Sequence, residues 1–380
     1  MVPSGQANRK PAGVKRRIVF SNYDSPANPF YGGGGARAIH EIARRLAVRQ
    51  EVRVVAGAFP GCRDGVVDGV AYEHLGRAGA GGKAGQLWFQ FRLPGRARRG
   101  DFDLWAESLT PPFSTACLQK FTPKPVIALT QVLGGKAMAR KYKLPFGLIE
   151  RLGLRTYRHA IALSEFLKGE ILQASPRATV VVIPNGVPGE LIRQTVEREE
   201  RHILFLGRLD VEQKGLDLLL DAVAGLVGHV DVRLVIAGSG TPGAEAWLRR
   251  RIAVLRLGDR VQLAGPVSGP RKHDLLRQAF FLAMPSRFEA SPLVMLEAFA
   301  YGLPVVLYDI PELHETPDEC CVKTTPFDVA GLSRAMADLW RDGPRRAALG
   351  RAAKAHSRRF DWDDLARRYE DFFETVLEKG

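Results

Sequence analysis

Residues 281–308 of this 380-residue chain, FLAMPSRFEASPLVMLEAFAYGLPVVLY, contain the pattern that decides its fold class. Phe281–Met284 and Val305–Tyr308 are short apolar runs typical of buried strands, and the residues between them have helical spacing. Ser291 suits the N-cap of that helix and Pro292 its first position, and a Gly-Leu-Pro sequence ends it. A strand, a helix and a strand in this order predict a parallel β-α-β unit.

The same alternation continues through the rest of the chain. In the first half, the predicted strands are Arg17–Ser21, Glu51–Ala56, Asp103–Ala106, Pro125–Leu129 and His159–Leu163, and the clearest helix is Ala36–Val48. The second half adds strands His202–Leu206, Arg233–Ala237 and Val261–Ala264, with helices Leu216–Leu226, Ala244–Leu255 and Arg271–Ala279. Two such sets predict an α/β fold with two doubly wound, Rossmann-like domains.

Changes in composition suggest the domain boundaries. Residues 1–14 are polar and without periodicity, which predicts a disordered tail. Pro, Asn and Gly cluster at the junction of an N-terminal domain, residues 15–184, and a C-terminal domain, residues 185–359. The last segment, residues 360–380, has the pattern of an amphipathic helix.

The composition is that of a globular protein, with 46% hydrophobic and 25% charged residues. No apolar stretch reaches the roughly 20 residues of a membrane span, and no leader-like apolar segment begins the chain, so we expect a cytoplasmic protein. The four cysteines form no C-x-x-C pair and the eight histidines no H-x-x-x-H pair, so no metal site is expected.

Positive charge is concentrated in the first half of the chain. Residues 1–184 hold 28 Lys and Arg against 12 Asp and Glu, whereas residues 185–355 hold 22 of each. This excess predicts an anionic partner for the N-terminal domain, although a solubilising surface explains it equally well. The partner would be an anionic or lipid-linked acceptor, or the inner face of a membrane to which the protein attaches peripherally.

Two glutamates flank the start of the helix predicted at Pro292. Glu289 lies in the preceding loop, and Glu297 follows Pro292 by about 7.5 Å along the helix axis. The free amides at a helix N-terminus, together with the helix dipole, make an anion site between the two carboxylates. The residues expected to form it are Ser291, Pro292, Leu293 and Val294.

Carboxylates on either side of a bound phosphate are best explained as acceptors for hydroxyl groups. Glu297 would bind a ribose and Glu289 a hexose, which together with the anion site describe a nucleotide-diphosphate sugar. An isolated glutamate is usually an ordinary surface residue, but here the cap, the proline and the spacing occur together.

A second stretch, GRLDVEQKG at 207–215, follows the predicted strand His202–Leu206. Arg208 leaves the carboxyl end of that strand and Lys214 begins the next helix, at the edge where open parallel sheets bind ligands. Two cations there would neutralise the charge that builds on a departing diphosphate without a metal. For such a pair taken alone, surface charge is the more frequent explanation.

A third stretch, YGGGGAR at 31–37, leads glycine-rich backbone into the first predicted helix. Its G-x-G-x-x-A pattern at Gly33, Gly35 and Ala38 resembles a dinucleotide site, but the first strand ends about ten residues too early for one. The next strand also lacks an acidic residue at its end, so NAD binding is not expected.

The three stretches together resemble the family 4 glycosyltransferases, retaining enzymes with the GT-B fold. The resemblance extends from Arg17 to about Leu377, and its most specific parts are GRLDVEQKG at 207–215 and PSRFEASPLVMLEA at 285–298, which carries the E-x7-E signature. Supporting matches are SEF at 164–166, IPNGV at 183–187, IAGSG at 236–240 and LAGPV at 263–267.

The resemblance implies two domains that face each other across a cleft, with the C-terminal helix crossing back to the N-terminal domain. It implies a hexosyltransferase of cell-envelope or other polysaccharide synthesis that needs no metal or other cofactor and takes a nucleotide-diphosphate sugar as co-substrate. The acceptor would be a glycan, a lipid-linked molecule or a small molecule.

The implied catalytic residues are Arg208, Lys214 and Glu289. The implied donor-binding residues are Gly33, Gly34, Gly207, Gly238, Val267, Lys272, Ser291, Pro292, Leu293, Val294 and Glu297.

The sequence departs from the family where many relatives have a histidine, after the strand that corresponds to Pro125–Leu129. Gln131 stands there, and a glutamine cannot take up a proton at neutral pH. Either the leaving phosphate deprotonates the acceptor, or Glu107, at the end of another predicted strand, assists. Glu107 is equally well explained as a solvated loop carboxylate. Gln131 and Glu107 are the predicted acceptor-side residues.

A basic and aromatic cluster lies between residues 88 and 99. It suits an anionic membrane surface or a lipid-linked acceptor, a nucleic acid, or a flexible loop packed by its own aromatics, and we favour the first interpretation. Its members are Trp88, Phe89, Phe91, Arg92, Arg96, Arg98 and Arg99.

Other functions were considered for this sequence. The D-x-D sequences at 101–103 and 361–363 resemble the cation site of metal-dependent transferases, but one precedes a strand and the other begins a helix, so we interpret both as structural. A nucleotide-sugar epimerase on the same fold, or a non-catalytic sugar- or nucleotide-binding protein, would share most of the predicted site. Nucleic acid is not the expected partner.

Overall fold

The computed structural model describes residues 15–30, 33–109, 115–135, 138–139 and 143–379. The chain divides into two α/β units, residues 1–185 with 362–380 and residues 186–361. This division falls one residue after the boundary suggested by the sequence. The predicted tail, residues 1–14, lies outside the described residues, as do Tyr31 and Gly32 of the glycine-rich stretch.

The sheet of the N-terminal unit has eight strands. They are β1 (Arg17–Asn22), β2 (Glu51–Gly57), β3 (Gly65–Val67), β4 (Val70–Leu75), β5 (Leu104–Leu109), β6 (Val126–Thr130), β7 (His159–Ala162) and β8 (Thr179–Val182). Their order is β3-β4-β2-β1-β5-β6-β7-β8, and all neighbours are parallel except β3 and β4. The five strands predicted here are present with slightly shifted ends. β3, β4 and β8 were not predicted, and none of the three is a fully buried apolar run.

The helices of this unit are α1 (Gly34–Leu46), α2 (Gly81–Ala97), α3 (Phe146–Leu154) and α4 (Glu165–Ala174). In α1, Ile39, Ile42 and Leu46 are buried on one face, as their spacing predicts. α2 occupies the basic and aromatic cluster, so the interpretation of that cluster as a flexible loop is wrong.

The C-terminal unit has a six-stranded parallel sheet in the order β11-β10-β9-β12-β13-β14. Its strands are β9 (His202–Leu206), β10 (Leu234–Ala237), β11 (Val261–Gly265), β12 (Ala279–Met284), β13 (Val305–Tyr308) and β14 (Cys321–Thr324). Its helices are α5 (Gly189–Arg193), α6 (Leu216–Ala224), α7 (Pro242–Val254), α8 (Gly269–Arg277), α9 (Leu293–Ala300), α10 (Val329–Arg341) and α11 (Gly343–Ser357). The bounds of β9 and β13 are those predicted.

The last helix, α12 (Trp362–Lys379), belongs to the N-terminal unit, so the predicted crossing back of the chain is confirmed. It packs along α1, and the Nε of Arg45 lies 2.5 Å from a carboxylate oxygen of Asp363. The rings of Phe20 and Phe373 are in contact, with their centroids 6.0 Å apart. Apolar burial and surface ion pairs together hold this helix on the unit.

Each sheet contains a point where the direction of winding reverses. In the C-terminal unit, β10 and β11 are added on one side of β9 and β12 on the other, so the loops after β9 and β12 leave the sheet in opposite directions. In the N-terminal unit, β1 and β5 form the equivalent pair. Ligands of open parallel sheets bind in the crevice that such a reversal leaves at the carboxyl ends of the strands.

The D-x-D carboxylates are held in ion pairs. Asp101 binds Arg96 and Asp103 binds Arg17, and the second sequence pairs Asp361 with Arg193. Among the residues described by the structure, no group of three or more His, Cys, Asp and Glu side chains is arranged to hold a metal ion. Within the same residues, no helix has the length and apolar character that crossing a membrane requires.

Candidate active site

The loops after β9 and β12 are packed tightly against each other. The carbonyl of Gln213 accepts a hydrogen bond from the amide of Arg287 at 2.9 Å. Gly215 has a φ of 64°, and a Cβ placed on it would lie 2.0 Å from the carbonyl oxygen of Pro285. Only glycine fits this close approach, so the glycine that follows Lys214 in the GRLDVEQKG stretch has a structural explanation.

This packing brings Lys214 to Glu289. The Nζ of Lys214 lies 2.5 Å from Oε1 of Glu289, and the hydroxyl of Ser286 donates to the same oxygen at 2.6 Å. Ser286 and Glu289 are buried and Lys214 is largely enclosed. The Oε2 atom of Glu289 makes no hydrogen bond to the described residues, so it is the atom left to accept one from a ligand.

A second ion pair fixes the same two loops. Nη1 and Nη2 of Arg287 donate to the two carboxylate oxygens of Asp217, at 2.9 and 2.7 Å. Nη1 also donates to the carbonyl of Glu212 at 2.8 Å. Burial by itself raises the pKa of Asp217, but the hydrogen bonds from Arg287 outweigh it and hold that pKa below its ordinary value. Asp217 is therefore charged at neutral pH and forms a bidentate ion pair with Arg287.

Arg208 differs from the other basic residues of the site. Its Nη2 donates to Oε1 of Gln213 at 2.7 Å, and its side chain is exposed. No carboxylate among the described residues forms an ion pair with it. An exposed guanidinium at the carboxyl end of β9, held by a neutral amide, is available to bind an anion.

The start of α9 differs by one residue from the prediction. The helix begins at Leu293, and Pro292 is its N-cap, so the assignment of Ser291 to the cap and Pro292 to the first helical position is wrong. Proline has no N–H group, and it therefore donates nothing to the predicted anion site. The amides of Leu293 and Val294 make no main-chain hydrogen bond to the described residues and are the donors that remain at this helix end.

Lys272 lies beside Glu297. Its Nζ is 2.7 Å from Oε1 and 2.6 Å from Oε2 of that carboxylate, so the ammonium is shared by both oxygens. The predicted donor-binding lysine is thus paired with the carboxylate expected to bind the ribose. Glu297 is buried on α9, four residues after Leu293 and so on the same side of the helix.

Three further predicted residues follow neighbouring strands of the same sheet. Gly207 comes after β9 and Gly238 after β10, and a Cβ on Gly238 would lie 1.8 Å from the carbonyl oxygen of Gly207. Gly238 has a φ of 146°, so close backbone packing accounts for the glycine there. Val267 follows β11 and is partly buried against the hydrophobic core.

In the N-terminal unit, the glycine-rich turn is already occupied by a carboxylate. The amide of Gly33 donates to Oδ2 of Asp24 at 2.8 Å, and the donor-binding role implied for Gly33 stays a prediction. Gly34 is the first residue of α1. Gln131 is close by, because a Cβ on Gly35 would lie 3.5 Å from Oε1 of Gln131.

Glu107 is enclosed within the N-terminal unit. One of its oxygens accepts from the amide of Ala116 at 2.5 Å, and the other accepts from the hydroxyl of Tyr157 at 2.6 Å. Burial raises the pKa of Glu107 to about 7, although these hydrogen bonds act in the opposite direction. Glu107 therefore is not a solvated loop carboxylate. It fixes the segment around Ala116, and its part in proton transfer stays a prediction.

Sequence comparison places these features in a known family. The sequence model described as Glycosyltransferase Family 4 matches residues 32–191, and the one described as Glycosyl transferases group 1 matches residues 200–342. The chain belongs to glycosyltransferase family 4. The second matched segment, residues 200–342, contains both of the loops whose ion pairs are described above.

Two relatives and one solved structure illustrate the range of similarity. An uncharacterized glycosyltransferase of Methanocaldococcus jannaschii is 30% identical over 59% of this chain, which spans 62% of that protein. A phosphatidyl-myo-inositol mannosyltransferase of Mycobacterium leprae is 28% identical over 92% of this chain and 94% of its own length. HepE of Anabaena in complex with UDP-glucose has the same GT-B fold, with a TM-score of 0.73 at 19% identity over 95% of this chain and 100% of HepE.

The sequence had no signal for three residues that shape this family 4 site. Ser286 stands within the quoted motif, three residues before Glu289, but a serine there is not distinctive. Asp217 and Arg287 lie 70 positions apart, and their pairing depends on the adjacency of β9 and β12. A prediction of strand order would have been needed to find it.

Proposed function

We propose that the protein transfers a sugar from a nucleotide-diphosphate sugar to an acceptor hydroxyl, with retention at the anomeric carbon and without a metal. The observation that supports this most directly is the grouping at the winding reversal of the C-terminal sheet. There an exposed Arg208 and the Lys214–Glu289 pair accompany two amides at the start of α9 that make no main-chain hydrogen bond to the described residues. Cations and amides suit a diphosphate, and the adjacent carboxylates suit the hydroxyls on either side of it.

The proposed reaction breaks the bond between the anomeric carbon and the diphosphate oxygen. Arg208 and Lys214 stabilise the negative charge that develops on that oxygen, which is the role a metal has in other transferases. The acceptor hydroxyl attacks from the same face as the leaving group, and its proton passes to the departing phosphate oxygen. The new bond joins the anomeric carbon to the acceptor oxygen, so the atoms and charges balance without a protein base.

Glu289 and Glu297 orient the donor in this scheme. The free Oε2 of Glu289 accepts a hydroxyl of the transferred sugar, while Glu297 accepts hydroxyls of the ribose. Lysines pair with both carboxylates, Lys214 with Glu289 and Lys272 with Glu297. The phosphates can therefore approach without repulsion from the two carboxylates, and Lys214 can turn from Glu289 toward a phosphate.

The acceptor is assigned to the N-terminal unit, which carries the predicted residues Gln131 and Glu107. HepE was solved with UDP-glucose, and the mycobacterial relative is named for a phosphatidyl-inositol acceptor. These names support a nucleotide-sugar donor and a glycan, lipid-linked or small-molecule acceptor, in the synthesis of envelope or other polysaccharides. An epimerase or a non-catalytic binding protein are the alternative functions.

A two-part donor screen tests this proposal. UDP, GDP, ADP and dTDP at millimolar concentration are first tested for protection against thermal unfolding, because a ligand of the native state raises the melting temperature. We expect one base to protect. Sugars linked to that base are then offered with EDTA, and release of the nucleoside diphosphate is measured. Protection without release indicates a binding protein, and an altered but still linked sugar indicates an epimerase. Absence of any protection would contradict the proposal.

A further inference from the structure

Two buried glutamates of the N-terminal unit accept main-chain amides from the connections on either side of β6. Glu107, two residues before the end of β5, is 1% exposed, and Glu150, on α3, is 7% exposed. Glu107 binds the connection that leads into β6, and Glu150 binds the one that leads out of it. A carboxylate accepts an amide more strongly than a neutral oxygen does, so both connections are held by strong contacts.

The connection before β6 is bound around Ala116. Oε1 of Glu107 accepts the amide of Ala116 at 2.5 Å, and Oε2 accepts the hydroxyl of Tyr157 at 2.6 Å. The hydroxyls of Tyr157 and Thr115 are hydrogen-bonded to each other. Thr115 also packs directly on α3, because a Cβ on Gly153 would lie 1.9 Å from its Cγ2 atom. Glu107, Tyr157 and α3 together fix this part of the connection.

The connection after β6 is bound at Gly135. Its amide donates to Oε2 of Glu150 at 2.9 Å. A Cβ on Gly135 would lie 2.7 Å from Oε1 of the same carboxylate, so a side chain there would displace it. Gln131, a predicted acceptor-side residue, directly follows β6 and stands four residues before Gly135. Glu150 therefore fixes the far end of the short loop that carries Gln131.

The contacts of Glu107 do not suit a general base. A base lies within hydrogen-bond reach of the proton that it takes, directly or through one water. Both oxygens of Glu107 are bound inside the unit and its side chain is buried, so an acceptor in a crevice at the surface does not touch it. The same contacts suit a residue that acts through the segment that it holds.

We propose that Glu107 and Glu150 are positioning residues of the acceptor side, which hold the two connections beside β6, and that Glu107 takes no proton from the acceptor. This role rests on the proposed sugar transfer, in which the departing phosphate receives that proton. A misplacement of about 1 Å can lower a transfer rate by about 100-fold, so an acceptor bound between loops needs those loops to be fixed.

The rates of donor hydrolysis and of sugar transfer, measured on one preparation of the full chain, test this role. The donor is the nucleotide sugar selected by the screen, and methyl glycosides are the acceptor probes. Water replaces the acceptor in hydrolysis and is not oriented by the two connections. Glu107→Ala and Glu150→Ala should each lower the ratio of transfer to hydrolysis by about tenfold or more, whereas a merely structural loss would lower both rates alike.

A conservative variant separates positioning from proton transfer. In Glu107→Gln, the side-chain carbonyl can still accept the amide of Ala116, while the side-chain NH2 donates to the Tyr157 oxygen and the Tyr157 hydroxyl turns to Thr115. Both rates should therefore stay within about threefold of those of the unmodified chain, whereas loss of a general base would lower both by about 100-fold or more.

Two further variants are matched controls. Gly135→Ala displaces the Glu150 carboxylate without removing its charge, so it should lower the ratio as Glu150→Ala does. Ile171→Val changes a buried residue of α4 that makes neither contact, so it should cost some stability and leave the ratio unchanged.

Hydrogen exchange tests the contacts themselves and requires no activity. Glu107→Ala should speed exchange about tenfold in a peptide that contains Ala116, and Glu150→Ala in one that contains Gly135, each without effect on the other peptide. A failure of the proposed transfer would be seen differently, as no release of nucleotide by the unmodified chain.

Three results would each overturn the positioning proposal. The first is an unchanged ratio of transfer to hydrolysis in both Glu107→Ala and Glu150→Ala. The second is a loss of about 100-fold in both rates of Glu107→Gln, which would make Glu107 the base. The third is unchanged exchange of both peptides in the two alanine variants.

Discussion

The two units use the same kinds of residues in opposite ways. In the C-terminal unit, the predicted side chains pair with one another beside the start of α9, as Lys214–Glu289 and Lys272–Glu297 do, with both carboxylates buried. In the N-terminal unit, two predicted residues are already bound to other residues of the same unit. The amide of Gly33 donates to Asp24, and Glu107 is enclosed. A nucleotide is bound by main-chain groups and charges at fixed places in the sheet, which local sequence patterns can indicate. An acceptor is bound by loops that have no such shared pattern.

The largest effect is expected at Lys214, where the C-terminal arrangement is most specific. Lys214→Ala should lower kcat by about 100- to 1,000-fold, because it removes one of the two cations that we propose stabilise the leaving oxygen. The free energy of unfolding should fall less, by about 2 kcal/mol, because the buried Glu289 keeps its hydrogen bond from Ser286. Steady-state kinetics and urea unfolding on one preparation compare the two losses, with Lys214→Arg as the charge-conserving control. If the activation free energy calculated from kcat and the free energy of unfolding changed by equal amounts, Lys214 would be merely structural.

A smaller effect, confined to donor binding, is expected at Glu297. Glu297→Gln should raise the KM for the donor by about 10- to 100-fold with little change in kcat, because hydroxyls of the ribose are bound alike in the ground and transition states. Lys272→Met, which leaves the carboxylate in place, should raise the same KM less. A selective fall in kcat would instead place Glu297 at the reacting centre.

The Arg287–Asp217 pair is expected to act through the residues that it positions. Asp217→Asn should lower kcat by about tenfold, because the loop carrying Glu289 is then less precisely held. In a Lys214→Ala background, the same change should have almost no further effect on kcat. An undiminished tenfold loss in that background would show that the pair contributes to activity by another route.

The smallest effect is a difference in pH dependence between the units. Burial raises the pKa of Glu107 from 4.5 to about 7, so the folded state holds more protons in that range and the free energy of unfolding falls as pH rises. Burial lowers the pKa of His202 from 6.5 to about 4, so the unfolded state holds more protons and that free energy rises with pH. The two slopes have opposite signs.

Hydrogen exchange on peptides from each unit measures these slopes separately. Glu107→Gln should flatten the slope of the N-terminal unit between about pH 4.5 and 7, and His202→Gln that of the C-terminal unit between about pH 4 and 6.5. The unchanged unit of each variant is the internal control. Slopes that both variants leave unaltered would mean that these two groups do not govern the pH dependence.

Most of the fold could be predicted from local sequence patterns. The side-chain pairs of the site could hardly be predicted at all. Buried strands such as β9 and β13 could be bounded from their apolar runs, whereas the exposed β3 had no such run. The start of α9 was misplaced because Ser291 and Pro292 favour neighbouring positions about equally. The Arg287–Asp217 pair and the enclosure of Glu107 depend on which strands are adjacent, and the spacing along the chain does not contain that information.

The central claim is that Arg208, Lys214 and the start of α9 bind a diphosphate. It is tested most directly by calorimetric titration of the full chain with the nucleoside diphosphate selected by the screen and with the matching nucleoside. We expect the diphosphate to bind at least about 100-fold more tightly than the nucleoside, and this difference to disappear in R208A/K214A. Equal affinity of the two ligands, or an unchanged preference in the double variant, would contradict the claim.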